Sequence, residues 1–202
     1  MTAAREADAT SPVILCYDGS KEAADAIAYA GELLRGRPAI VVTAWKPVIE
    51  EALSTGMTRP TADPSEVNKR EQESAAQTAA RGARLASQAG FEARPLAVRA
   101  DGPLWVAIEL AAEDANANLI VCTTRRSGVT AALPGNLARA LVNHASCPVL
   151  VVPSVKAAAE RAREVEEWRT SRRARRKEVA AGGAARGKRA VSAADPPLKR
   201  AA

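Results

Sequence analysis

The chain has 202 residues, which leaves room for one ordinary domain plus some excess. Hydrophobic residues make up 47% but aromatics only 3%, so the core must be built from Val, Ile, Leu and Ala rather than from large rings. The net charge of +6 is unevenly spread: residues 154–202 hold 14 Lys and Arg against 6 Asp and Glu, while residues 1–153 hold 15 against 17.

The basic character therefore belongs to the tail. Such a tail suits contact with nucleic acid, anionic lipid or an acidic partner, or is a solvated extension. Cys16, Cys122 and Cys147 are odd in number, scattered and free of any CxxC pair. That pattern points to buried, reduced thiols and excludes a disulfide framework. No apolar run approaches the roughly 20 residues needed to span a bilayer. Residues 1–11 are polar and Ala-rich without a secretory apolar region, so they are expected to be disordered and the compartment to be the cytoplasm.

In chain order, Val13 to Tyr17 reads as a strand ending at Asp18-Gly19-Ser20. Ser20 is a good N-cap for a helix with Ala23, Ala24, Ile27, Ala28 and Leu34 at helical spacing, ended by Gly36 and Pro38. A second strand covers Ala39 to Trp45. The long connection from Lys46 to Pro64 has the length of a functional or mobile loop. Ser65 to Ala89 is a predicted helix with Gly90 just past its end, and Phe91 to Arg99 a strand whose Pro95 argues for an edge or a bulge.

Asp101-Gly102-Pro103 is a turn in which Asp101 is expected to cap the helix from Leu104 to Asn116. Leu119 to Thr123 is almost wholly apolar, as for a strand buried on both faces. A helix over Asn136 to Asn143 and a strand over Val149 to Val152 complete a domain spanning residues 12–153. Five strands alternating with helices predict an α/β fold, a doubly wound five-stranded parallel sheet with helices on both faces. In the tail, residues 156–178 are a candidate helix, while residues 181–202, rich in Gly and Pro and poor in apolar groups, are expected to be disordered.

Four stretches share a resemblance: Val13 to Ser20, Ile40 to Trp45, Ala100 to Pro103, and Gly135 to Pro153 with its His-Ala-x-Cys-Pro turn. Together, in this order and spacing, they resemble the universal stress protein family over about 70% of the chain. The resemblance implies a homodimer in which the last strand, Val149 to Val152, pairs with its counterpart. It also implies an adenine-nucleotide site, ATP in many members, with an acidic residue at the position of Asp18 and the pattern G-x2-G-x9-G-[ST] after the fourth strand.

Here Asp18 and Gly135 match, whereas Cys122, Arg125 and Asn136 stand at the other pattern positions. With Ala44 at the end of the second strand, these are the candidate nucleotide-binding residues. Two readings of the loop stand open. Side chains at 122 and 125 close the space a phosphate needs, or Arg125 and Arg126 supply positive charge in place of lost amide contacts. Binding is thus expected to be weak, altered or absent.

Asp18 is either a ligand contact or a cap. The single histidine, His144, suits a helix C-terminus. With no second His or Cys pair near it, neither a metal site nor a Ser-His-Asp or Cys-His arrangement assembles. Slow ATP hydrolysis is the enzymatic alternative, but no general base is evident beyond Asp18. Trp45 reads as core or dimer-adjacent packing, and Trp168 as an anchor onto the domain or a partner. The one dense basic cluster, Arg172 to Lys177, offers salt-sensitive contact to polyanions without interleaved aromatic residues.

Overall fold

The computed structural model describes residues 10–47, 63–124 and 137–192. Their element order is β1 (Val13–Cys16), α1 (Lys21–Leu34), β2 (Pro38–Trp45), α2 (Pro64–Gln88), β3 (Glu92–Arg99), α3 (Leu104–Asp114), β4 (Leu119–Thr124), α4 (Leu137–His144), β5 (Val149–Pro153) and α5 (Val155–Ser192). Among the described residues the five strands form one parallel sheet in the order β3-β2-β1-β4-β5, the expected doubly wound arrangement. The chain divides after Ala157 into two compact units.

Strand side chains alternate between two apolar layers. Val13, Leu15, Val41, Val121 and Val152 share one layer with Ala23, Ile27 and Ala30 of α1 and Ala83 and Ala86 of α2. Ile14, Ile40, Val42, Ile120 and Cys122 face the other, with Ile108 and Ala112 of α3 and Ala138 and Leu141 of α4. Because both faces are covered, the central strands are uniformly apolar, as parallel sheets require.

Local signals place the helices. Ser20 caps α1, its Oγ accepting from the Ala23 N–H at 3.2 Å. Asp63 caps α2, Oδ1 accepting from the Ser65 N–H at 2.9 Å, with Pro64 in the first turn. The expected cap of α3 by Asp101 is not made. Pro103 occupies the N-cap position without a side-chain bond, and Asp101 instead accepts from the Arg99 Nε at 2.6 Å. A guanidinium two residues upstream outcompetes the neutral amides for the carboxylate.

The proline in β3 sits where a missing N–H costs nothing. Pro95 is in register with Val41 on the outermost strand, and its ring nitrogen faces away from β2. The basic tail forms a longer helix than residues 156–178. Over residues 181–192, where disorder is expected from the sequence, α5 continues through Gly182 and Gly183. Helical hydrogen bonds are local and need no core, and Ala, Arg and Lys are good helix formers. The disorder expected for residues 1–9 and 193–202, and the long loop over residues 48–62, lie outside the described residues.

Helix α2 packs tightly on the sheet at Gly82. A Cβ there would stand 2.5 Å from Tyr17 Cδ1 and 2.7 Å from Val41 Cγ1. Gly82→Ala should therefore lower stability by about 1–2 kcal/mol despite the better helix propensity of Ala. Urea unfolding with an unchanged denaturant slope and a lower midpoint is the expected result.

Candidate nucleotide site

The strand order reverses between β1 and β4. The helices that follow these two strands leave on opposite faces, α1 in one apolar layer and α4 in the other. In open α/β sheets this is where a crevice opens beyond the carboxyl ends of the strands. The tip of β1 is held to β2 by two bonds. The Tyr17 N–H donates to Val42 O at 2.9 Å, and Thr43 Oγ1 donates to Tyr17 O at 2.7 Å from a buried position. Asp18 follows directly and is exposed, with Oδ1 accepting from the Ser20 N–H at 2.9 Å. It thus takes part in the turn into α1 while standing at the mouth of the crevice. Gly19 takes φ +85, which an L side chain rarely adopts.

Ala44, half-buried near the end of β2, lies at the same carboxyl end of the sheet. Cys122 is placed differently from a loop residue. It is 1% exposed, inside β4 opposite Val151, with its side chain in the apolar layer under α3 and α4. The strand runs on to Thr124. Arg125, Gly135 and Asn136 lie outside the described residues. The structure therefore brings Asp18, Ala44 and the end of β4 to one end of the sheet.

Two polar residues at that end were not singled out from the sequence. Thr123 and Thr124 close β4, and their hydroxyl oxygens are shut off from solvent without a hydrogen-bond partner. Buried hydroxyls normally find partners, so this orphan pair leaves two unused bonding groups at the end of an otherwise apolar strand. The sequence carried it as a change from Leu-Ile-Val-Cys to Thr-Thr at the one strand end that faces the switch point.

Other residues fall elsewhere. His144 is exposed at the end of α4 and stacks on Trp105, ring centroids 4.7 Å apart. Beside it Glu109 is buried and accepts from the Ser146 N–H at 2.8 Å, tying α3 to the turn before β5. Trp45 lines a groove of about 340 Å³ with Lys69 and Arg99 near the ends of β2 and β3. Among the described residues no group of His, Cys, Asp and Glu is placed to hold a metal ion. No described helix is long and apolar enough to cross a membrane.

An open parallel sheet whose strand order reverses between β1 and β4 defines an α/β domain of the doubly wound class. The sequence profile of the universal stress protein family matches residues 10–153, and the chain belongs to that family. A universal stress family protein from Burkholderia pseudomallei is 23% identical with a TM-score of 0.52, over 74% of this chain and 100% of that one. A universal stress protein solved in complex with cAMP is 20% identical with a TM-score of 0.52, covering 72% of this chain and 98% of that one. The hypothetical protein MJ0577 is 16% identical with a TM-score of 0.54, covering 72% and 97%. These likenesses show the fold. Among curated proteins, none matches the sequence.

The cysteines also meet in a way the sequence did not display. One residue beyond the Leu15–Val121 pair, Cys16 stands beside Cys122, and none of the three cysteines is in a disulfide. Burial pushes the Cys16 thiol well above its usual range, with the neighbouring Cys122 adding to the rise, and burial pushes Cys122 up to about 11. An ordinary thiol in the unfolded chain ionises near 9, before the folded one does. The contribution to stability is thus complete below about pH 8.5 and is lost as pH rises toward the folded value. Unfolding free energy should fall by about 1.4 kcal/mol per pH unit per buried thiol above pH ~9. Urea titrations of wild type and Cys122→Ala check this, the variant showing the shallower decline.

Proposed function

We propose that this chain is a dimeric regulatory domain that binds an adenine nucleotide weakly in the crevice between β1 and β4. The observation that carries the reading is the buried, partnerless hydroxyls of Thr123 and Thr124, on alternate faces of the end of β4, next to β1, whose end leads into Asp18. Hydroxyls donate to phosphate or ribose oxygens, and a carboxylate accepts from ribose hydroxyls or an adenine amine. The similar universal stress protein solved with cAMP supports the ligand class.

Weak binding follows from the loop sequence. Of the three glycine positions of the phosphate-binding pattern only Gly135 is kept, so fewer backbone amides reach the anion closely. Arg125 and Arg126 supply charge instead in this reading. Binding rather than turnover is proposed, and three cysteines outside any disulfide support a reducing, cytoplasmic location. The arm past residue 157 contacts polyanions in the same reading, supported by its excess of Arg and Lys.

Calorimetric titration with ATP, AMP and cAMP tests the site. One of these should bind, and Asp18→Ala or the double variant Thr123→Val/Thr124→Val should weaken it about 10-fold or more, the size of a lost bond to a charged group. Undiminished affinity in both variants, or no heat with any of the three at millimolar concentration, overturns the assignment.

Dimerisation is proposed through β5, the outer strand beside β4. The Ile120 N–H donates to Pro148 O at 3.0 Å, so the alternate residues Val149 and Val151 turn their backbone groups away from β4. Val149, Leu150 and Val151 are only half-buried, leaving an apolar edge suited to pairing with its copy. Native mass spectrometry should report twice the chain mass of 21.1 kDa. Val151→Pro, which removes an outward N–H and leaves the β4 ladder intact, should yield the monomer without unfolding.

A further inference from the structure

We infer that α5 is a DNA-binding arm whose arginine face lies in the major groove of duplex DNA. This rests on the polyanion reading of the arm and names its partner. The helix runs from Val155 to Ser192, about 57 Å at 1.5 Å per residue. Its charge is split along its length: residues 155–168 hold three basic and four acidic residues, residues 169–192 nine basic and one acidic.

The split also runs around the helix. Arg169, Arg172, Arg173 and Arg176 recur at i, i+3, i+4 and i+7, the spacing of a single face, and all four are exposed. Glu160, Glu164 and Glu167 recur at i, i+4 and i+7. Nine residues separate Glu160 from Arg169, which is two and a half turns, so the acidic stripe lies on the opposite side. The two stripes thus differ both in position along the helix and in direction, and the arginine-bearing stretch is the one that attracts phosphate.

Two contacts shape the cationic face. The Arg172 guanidinium sits 5.1 Å from the centroid of the Trp168 ring, which itself is 61% exposed. That contact holds the arginine against the helix in a defined position. Arg169 pairs with Glu166 at 3.3 Å, but both are exposed, and a surface pair of this kind yields readily to phosphate.

Charge and shape choose among polyanions. A membrane-surface helix needs a stripe of large apolar groups, and in sequence α5 has only Val155, Val165, Trp168, Val179 and Val191 over its 38 residues, too few for one. A helix about 10–12 Å across fits the ~12 Å major groove of B-form DNA, whereas the major groove of A-form RNA is too narrow to admit it. Arg residues on the face neutralise about four phosphates. Affinity should then fall with a log–log salt slope near −3.6, about 150-fold between 50 and 200 mM salt.

The test is fluorescence anisotropy of a labelled 20-base-pair DNA duplex with the full chain, beside an RNA duplex of the same sequence and phosphatidylserine-containing vesicles. The DNA duplex should bind tightest. Substituting Arg169, Arg172, Arg173 and Arg176 together by Gln should weaken it at least about 20-fold at 100 mM salt and flatten the slope, while circular dichroism shows the helix retained. Glu160→Gln/Glu164→Gln/Glu167→Gln should leave DNA affinity within about threefold. Tighter binding to RNA or to vesicles overturns the DNA assignment and leaves the polyanion reading standing. Absence of binding to all three probes overturns both, whereas a quadruple variant that binds DNA like wild type overturns the assignment to this arginine face. ATP titration of the same variants should be unchanged, which separates this site from the crevice.

Discussion

Burial of the short strand β1 between two helical layers is the constraint on which the rest of the domain depends. Val13, Ile14 and Leu15 are wholly inaccessible to solvent, with Val13 and Leu15 in the layer of α1 and α2 and Ile14 in the layer of α3 and α4. The strand pairs on one side with β2 and on the other with β4, so each crossover must travel over one face and return. That geometry leaves the ends of β1 and β4 adjacent while their following helices diverge. The crevice is a result of connectivity. It is not a cavity carved into the core, and the polar groups at its mouth sit where the apolar strands run out.

A rigid floor follows. Tyr17, Thr43 and Val42 lock the end of β1 to β2 through bonds in a buried setting, and such bonds resist exchange with water. Asp18 is therefore delivered from a fixed backbone and is further held by the Ser20 N–H. By contrast, Thr123 and Thr124 are desolvated in advance. Their cost is already present in the free protein, so a group that donates to or accepts from them gains without a further desolvation of the protein.

The elements of the sheet were legible in the sequence because parallel strands buried on both faces read as short runs of Val, Ile and Leu, and the turns between them carry strong caps at Ser20 and Gly90. Asp101 misled because capping and ion pairing draw on the same carboxylate, and Arg99 is close enough to win. The far half of α5 was read as disordered because low apolar content excludes a core; a helix, however, closes its own hydrogen bonds. The site was legible only in part. Asp18 is found from its place after a strand, whereas counting back from Gly135 leads to Cys122, which the structure sets inside β4. The nearness of Cys16 to Cys122, and the isolation of the two Thr hydroxyls, depend on register between strands distant in sequence, which periodicity does not encode.

The position of Pro95 limits how copies of this domain can associate. With an imino acid midway along the outer border of β3, that margin lacks one of the donors a neighbouring strand would need. Growth of the sheet is thereby restricted to its opposite margin, and two molecules joined there by a two-fold axis leave no second equivalent surface to recruit a third. A sheet with one such interrupted border offers a copy only its other margin, which disfavours open-ended stacking into a fibre.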